Sequence, residues 1–159
     1  MRLRDAVCTL VASGLLVAAC GGAGASPSPA TSPQEAATRL IGAIADDNGA
    51  EACALMITAA QGTFAQDSGA ADCEGAVSSL SSQVTDKDAF RTMVPSGMTV
   101  TGDSAEVSGY CNDGWTHADG SRDTLDFSPN DLGTLTLRNT EDGWMLADYL
   151  SSEHYSTCG

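Results

Sequence analysis

Positive charge is scarce in this chain of 159 residues. It has 7 Lys and Arg against 21 Asp and Glu, a formal net charge of −14, and Lys87 is its one lysine. Proteins that bind nucleic acid or anionic lipid headgroups use clustered basic side chains to neutralise phosphates. We therefore expect no nucleic-acid partner. The acidic residues are scattered and not run together, which is typical of a solvated surface.

Long apolar runs are also missing. The apolar segment near the N-terminus, Ala6–Ala19, has fourteen residues, whereas a helix that spans a bilayer needs about 20. This length suits the core of a signal peptide instead. Arg2 and Arg4 precede the segment, and small residues end it directly before Cys20. The sequence therefore predicts a secretory leader.

This pattern resembles a bacterial lipoprotein signal, in which the leader is cut before a cysteine whose thiol carries a diacylglycerol. The resemblance implies that residues 1–19 are removed and that Cys20 becomes the lipidated N-terminus, with fatty acyl chains such as palmitate. The protein would then be held on the outer face of the cytoplasmic membrane, in the cell envelope. Two acyl chains anchor a protein stably, whereas one holds it only marginally. The alternative is ordinary cleavage, with Cys20 left as a thiol or paired in a disulfide.

After the leader, residues 20–32 combine the lipidated cysteine with Gly, Ala, Ser, Pro and Thr. They hold no large apolar side chain, so nothing offsets the entropy of ordering them, and we expect a flexible tether. Residues 33–159 then suffice for one small domain. The chain without its leader keeps 5 basic and 20 acidic residues, a net charge of 5 − 20 = −15.

Four cysteines remain for disulfides, because Cys8 leaves with the leader and Cys20 is taken by lipid. They are Cys53, Cys73, Cys111 and Cys158. An even number of cysteines outside the cytoplasm predicts two disulfides, and four cysteines allow three pairings. We favour Cys53 with Cys73, within one helical segment, and Cys111 with Cys158, tying a strand to the C-terminus. A four-cysteine zinc site is the alternative, but it lacks any C-x-x-C pair.

Helices are predicted in the first half of the domain. Ser32-Pro33-Gln34-Glu35 is a helix start, with Ser as the N-cap, Pro at the first helical position and Glu placed to close a capping box. The apolar residues of 37–45 recur at helical spacing. Asn48 begins a second predicted helix, which Gly62 interrupts, and Asp72 begins a third that runs to about residue 84.

Strands are predicted from about residue 98, where the apolar period changes from helical to alternating. Segments 98–101 and 105–107 flank a turn at 102–104 and predict a hairpin. Its apolar side would hold Met98, Val100, Ala105 and Val107. Further strands are predicted at 124–127, 134–138 and 144–150. Helices followed by an antiparallel meander indicate an α+β domain, with N-terminal helices packed on one face of a curved antiparallel sheet.

A resemblance to a known family begins with two predicted helical segments, 33–47 and 48–64, the second of which contains Ala52-Cys53-Ala54-Leu55. Three later stretches carry the resemblance further. They are Val100-Thr101-Gly102-Asp103-Ser104-Ala105-Glu106-Val107, Leu135-Thr136-Leu137-Arg138 and Glu141-Asp142-Gly143-Trp144-Met145-Leu146. Over residues 33–150 the chain resembles small actinobacterial lipoproteins with an NTF2-like domain, a cystatin-like α+β cone. The resemblance implies a cone whose open end forms an apolar pocket. It implies no activity, because the fold hosts isomerases, dehydratases and transport factors.

The pocket of such a cone would either be packed shut or hold a small apolar ligand. Its expected lining is Leu40, Ile44, Leu55, Val77, Val107, Leu135 and Leu146. The sequence contains no G-x-S-x-G, P-loop or G-x-G-x-x-G motif. His117 and His154 have no partner at a ligand or triad spacing. We therefore name no catalytic residue, no metal site and no cofactor.

These observations favour a non-enzymatic binding or accessory module, with the membrane as its anchor and a small apolar ligand or an envelope protein as its partner. The alternative is an isomerase- or dehydratase-like enzyme with a carboxylate and a tyrosine in the cone pocket. Its candidates are Tyr110, Tyr149, Tyr155, Glu106, Asp126 and Asp148. A converging ionisable pair in an enclosed cavity would favour the enzyme, and a filled core the binding module. A third option is an interaction domain with an exposed apolar patch.

Overall fold

A computed structural model of the chain describes residues 28–111, 115–116, 119–123 and 132–150. The predicted leader, the lipidation site at Cys20, the predicted strand 124–127 and Cys158 lie outside these residues. Among the helices of the described part, none is long and apolar enough to cross a bilayer.

Five helices precede the strands in the described part of the chain, and their bounds are as follows. They are α1 (Pro33–Ala45), α2 (Gly49–Ala54), α3 (Thr58–Asp67), α4 (Cys73–Gln83) and α5 (Lys87–Arg91). The strands are β1 (Val94–Thr101), β2 (Ser104–Cys111), β3 (Trp115–Thr116), β4 (Arg122–Asp123), β5 (Thr134–Thr140) and β6 (Gly143–Leu150). This order confirms the predicted α+β class.

Four of the strands form one curved, open sheet in the order β1-β2-β5-β6, and every neighbouring pair is antiparallel. Met98 lies opposite Val107 in the β1–β2 pair, and Leu137 lies opposite Leu146 in the β5–β6 pair. Strands β3 and β4 form a separate two-stranded hairpin. The meander leaves β1 and β6 as the two outer strands of the four-stranded sheet.

The helix starts follow the local capping chemistry that the sequence predicts. The Ser32 side chain accepts a hydrogen bond from the Glu35 N–H at 3.1 Å, with Pro33 in the first turn. Asn48 and Asp72 accept in the same way at the starts of α2 and α4. Each side chain satisfies a backbone N–H that the helix itself leaves without a partner.

The prediction that Gly62 interrupts the second helix is wrong, because Gly62 lies within α3. The break falls at residues 55–57 instead, where the backbone joins the edge of β6. The Ile57 N–H donates to the Leu146 carbonyl at 2.9 Å, and the Leu146 N–H donates to the Leu55 carbonyl at 2.8 Å. These long-range bonds replace the helical bonds that would otherwise continue through the segment.

The core lies between the helices and one face of the sheet. The sheet contributes Ala105, Val107, Leu135, Leu137 and Leu146, and the helices contribute Leu40, Ile41, Ile44, Phe64, Val77 and Phe90. Three of the four residues expected on the apolar side of the first hairpin pack in or against this core. Val100 does not, since 54% of it is exposed.

The predicted disulfide between Cys53 and Cys73 is confirmed. It joins α2 to the first residue of α4 across a Cα–Cα distance of 6.1 Å, with both cysteines buried. The Sδ atom of Met56 lies 3.8 Å from the Cys73 sulfur. The pairing of Cys111 with Cys158 stays a prediction, because Cys158 lies outside the described residues.

Candidate functional site

The seven residues expected to line a pocket are all buried. Leu40, Ile44, Val77, Val107, Leu135 and Leu146 are at most 1% exposed and belong to the hydrophobic core. They lie on α1, α4 and strands β2, β5 and β6. Leu55 differs, because it also lines a cleft at the protein surface. The structure therefore places six of the seven residues in the hydrophobic core, and Leu55 both in that core and at the cleft.

One surface depression lies beside the disulfide and is wide open to solvent. We call it the disulfide groove; its volume is about 570 Å³, and it is lined by Thr58, Gln61, Gly62, Ala65, Gln66, Ala70, Ala71, Asp72 and Cys73. The Gln61 amide is already engaged, since it donates to the Cys53 carbonyl at 2.8 Å and to the Met56 carbonyl at 3.2 Å. The lining of the disulfide groove consists of small side chains, two amides and the Asp72 carboxylate, and it includes no cationic group.

A second depression is more enclosed and carries more varied chemistry. We call it the arm cleft; its volume is about 540 Å³, and it is lined by Ser28, Pro29, Ala30, Arg39, Ala54, Leu55, Asp142, Trp144 and Met145. Its walls come from α1, α2, the β5–β6 turn, β6 and the segment that precedes α1. The lining combines apolar side chains with one cation and one carboxylate, and small-ligand sites are mostly apolar with a few polar groups that orient the ligand.

One wall of the arm cleft belongs to residues 28–31, which we call the N-terminal arm. The arm was predicted as the end of a flexible tether, yet Ala30 is only 2% exposed. The Ala30 carbonyl accepts a hydrogen bond from the Trp144 N–H at 3.0 Å, at the outer edge of β6. The packed domain therefore begins at or before Ala30 instead of at residue 33.

Gly143 permits the close approach of the arm to β6. Its φ is +87°, and a Cβ built on it would lie 2.6 Å from the Ala30 carbonyl oxygen and 2.9 Å from the Pro29 Cβ. Real side chains essentially never make such contacts with backbone atoms, so any other residue here would displace the arm. A positive φ also favours glycine by itself.

Charged side chains of α1 hold the two ends of the arm. The Glu35 carboxylate accepts from the Thr31 N–H at 2.8 Å and from the Thr31 hydroxyl at 2.6 Å. These two hydrogen bonds lower the pKa of Glu35, the hydroxyl bond having the larger effect. At the other end, the Arg39 guanidinium donates to the Ser28 carbonyl and lies 3.9 Å from Glu51.

Two of the three carboxylates named for the enzyme alternative lie on the face of the sheet that points away from the core. Glu106 and Asp148 are exposed, each next to Thr136 in the strand register. Tyr149 packs its ring edge-on against Phe64, with centroids 5.2 Å apart. Tyr110 is buried in the core, and Ser81 is buried as well. Asp126 and Tyr155 lie outside that part.

Metal-binding side chains do not converge among the residues that the structure covers, where no group of three or more His, Cys, Asp or Glu could hold an ion. Of the two depressions, the arm cleft combines the more varied groups for binding, including Arg39 and Asp142.

Comparison of the chain with family models, curated proteins and solved structures finds no match.

Sequence reasoning missed the arm cleft, although it named one lining residue, Leu55. The cleft depends on contacts between the arm and a turn more than a hundred residues later, and the Ser/Pro/Ala composition of the arm gives no signal for them. Gly143 was the one local sign of these contacts. It did not reveal them, because glycine after Glu141-Asp142 also fits an ordinary hairpin turn. What the cleft can do chemically is bind; it brings together no pair of groups for proton transfer.

Proposed function

We propose that this protein is a lipid-anchored binding or accessory module of the cell envelope, built on an NTF2-like domain. In this proposal residues 1–19 are a signal peptide, Cys20 carries the diacylglyceryl anchor, and the domain stands on the outer face of the cytoplasmic membrane. The partner is a small ligand with an apolar part, or an envelope protein.

The observation that carries the proposal is the Cys53–Cys73 disulfide. Disulfides form and persist in oxidising compartments and are rare in the cytoplasm. A disulfide in a chain that begins with a leader-like segment ending in Ala-Ala-Cys fits export followed by lipidation. The net charge of −14 disfavours phosphate-rich partners and leaves the acyl chains as the means of attachment.

A binding role is supported over catalysis by where the polar groups lie. Glu106 and Asp148 face solvent on one side of the sheet, whereas the arm cleft on the helix-bearing edge combines Leu55, Trp144 and Met145 with Arg39. Apolar lining with few polar groups selects a ligand by shape and one charge contact. This is chemistry for recognition.

The test of the anchor is partition between a detergent-rich and an aqueous phase. The full-length protein is expressed in a bacterium that processes lipoproteins and is then extracted into the two phases. We expect the wild type in the detergent-rich phase and the Cys20→Ser variant in the aqueous phase, because the variant has no thiol to acylate. A Ser26→Cys control in the Cys20→Ser background should not restore partition, since a cysteine at position 26 no longer follows the apolar segment Ala6–Ala19 directly. Wild-type protein in the aqueous phase would contradict the proposal.

A further inference from the structure

The outer edge of β6 is covered at two successive hydrogen-bonding positions by backbone from elsewhere in the chain. The Trp144 N–H donates to the Ala30 carbonyl, and the Leu146 N–H donates to the Leu55 carbonyl. The second cover, residues 55–57, is tied on both sides to α2 and α3 and stays with the helices. The first, the N-terminal arm, leads through Ser32 into α1.

Among the residues that the structure describes, few interactions hold the arm. They are the Trp144–Ala30 hydrogen bond, the burial of the small Ala30 side chain, the Arg39 bond to the Ser28 carbonyl and the Thr31 bonds to Glu35. Short segments with little buried apolar area open at a lower free energy than the core does. The arm therefore has the properties of an element that detaches while the domain stays folded.

We infer that the edge of β6 at Trp144 is a docking surface for an extended backbone segment, and that the N-terminal arm is its resident occupant, a latch that detaches without unfolding. Main-chain bonding of an extended segment to a sheet edge is a general mode of peptide recognition. The glycine at 143 is what admits the segment, because no Cβ projects toward it. Detachment removes one wall of the arm cleft and uncovers the Trp144 N–H.

The latch has a consequence for the anchor, and this step rests on the proposed lipidation of Cys20. With the arm docked, residues 20–27 separate the lipid from the domain, and eight residues span at most about 29 Å. With the arm released, residues 20–31 do so, and twelve residues span at most about 43 Å. Docking thus keeps the arm cleft near the bilayer, and release lets the domain move farther away.

Two glycines make a matched pair for the test. Gly143 and Gly102 each lie at a hairpin of the same sheet with positive φ, +87° and +62°. A Cβ at Gly143 meets the arm, whereas a Cβ at Gly102 meets nothing within 4 Å. Gly143→Ala therefore adds a clash with the arm to the backbone strain, and Gly102→Ala adds the strain alone.

The experiment is site-resolved amide hydrogen exchange on the full chain, corrected for intrinsic rates. In the wild type we expect the Trp144 amide to exchange at least tenfold faster than the Leu146 amide, because only the latch covers Trp144. In Gly143→Ala the Trp144 amide should exchange at least a further tenfold faster, while Leu146 and Val107 keep their protection. In Gly102→Ala the Trp144 amide should stay within about twofold of the wild type.

Equal exchange of Trp144 and Leu146 in the wild type would overturn the inference, since the arm would then open only with the domain. Equal effects of the two glycine variants on Trp144 would also overturn it. If the Gly143→Ala variant does not fold, the ratio of the Trp144 and Leu146 exchange rates in the wild type decides the question. None of these readouts depends on lipid, so failure of the latch is distinguishable from failure of the anchor.

Discussion

The outer strands β1 and β6 have the same length, eight residues each, but very different surroundings. On β1, Val94 and Val100 are 55% and 54% exposed. On β6, Trp144 and Leu146 are 8% and 1% exposed, because the arm, residues 55–57 and helices α1 and α3 pack against that strand. The difference shows that position at a sheet edge does not by itself decide how much a strand contributes to stability.

Edge strands that expose unpaired backbone groups invite pairing with other chains. In this protein the edge at β6 is covered by segments that are remote in sequence. The edge at β1 instead carries Pro95 and, at Gly97, a positive φ of +59°, both of which disturb a regular ladder. Segments remote in sequence thus cover the edge of β6, whereas Pro95 and Gly97 within β1 itself disturb the regular ladder at the other edge.

The largest expected contrast comes from truncating one side chain on each outer strand. Leu146→Ala should lower the free energy of unfolding by about 4 kcal/mol, because it removes a fully buried side chain and leaves a cavity. Val100→Ala should change it by no more than about 0.5 kcal/mol, because the side chain is half in solvent. Urea unfolding monitored by circular dichroism measures both. Similar losses in the two variants would abolish the distinction between the strands.

Removing the disulfide should weaken β6 through the segment that follows α2. The double variant Cys53→Ser, Cys73→Ser opens a loop of sequence separation 20, which costs about 3 kcal/mol in the chain-entropy model. Amide exchange should quicken more at Ile57 and Leu146 than at Glu106 on β2, because β5 lies between β2 and β6. Reduction of a Cys111→Ser, Cys158→Ser variant, which keeps Cys53 and Cys73, is the matched control. An unchanged unfolding midpoint would contradict the stabilising role.

The smallest expected effect is a pH dependence of the arm. Because the pKa of Glu35 is lowered in the folded chain, its contribution to docking is complete above the ordinary value of 4.5 and is lost as the pH falls through the lowered value. The protection of the Trp144 amide against hydrogen exchange, corrected for intrinsic rates, should therefore decline below pH 4.5. Glu35→Gln should make that protection independent of pH in this range, and a variant with the wild-type decline would contradict the role of the carboxylate.

Local chemistry explains which parts of this fold could be predicted from sequence. The starts of α1, α2 and α4 depend on side chains within three residues, so Ser32, Asn48 and Asp72 sufficed to locate them. The pairing of Cys53 with Cys73 followed from their place on neighbouring helices. The α+β class followed from the change of apolar period near Met98.

Long-range contacts explain what could not be predicted. The break at residues 55–57 requires hydrogen bonds to Leu146, and the burial of Ala30 requires Gly143, so neither has a signal within its own segment. Val100 alternates correctly with its neighbours, yet it is 54% exposed, and no signal within its own strand predicts that exposure. The candidate site was missed for the same reason, since the arm that forms its wall has the composition of a tether.

The central claim is an exported, lipid-anchored domain closed by disulfides, and mass spectrometry of the mature protein under non-reducing conditions tests it most directly. The account predicts an N-terminal peptide that begins at Cys20 with a diacylglyceryl group, a linked Cys53–Cys73 peptide and a linked Cys111–Cys158 peptide. A chain that retains residues 1–19, with an unmodified Cys20 and free thiols at the later cysteines, would contradict it.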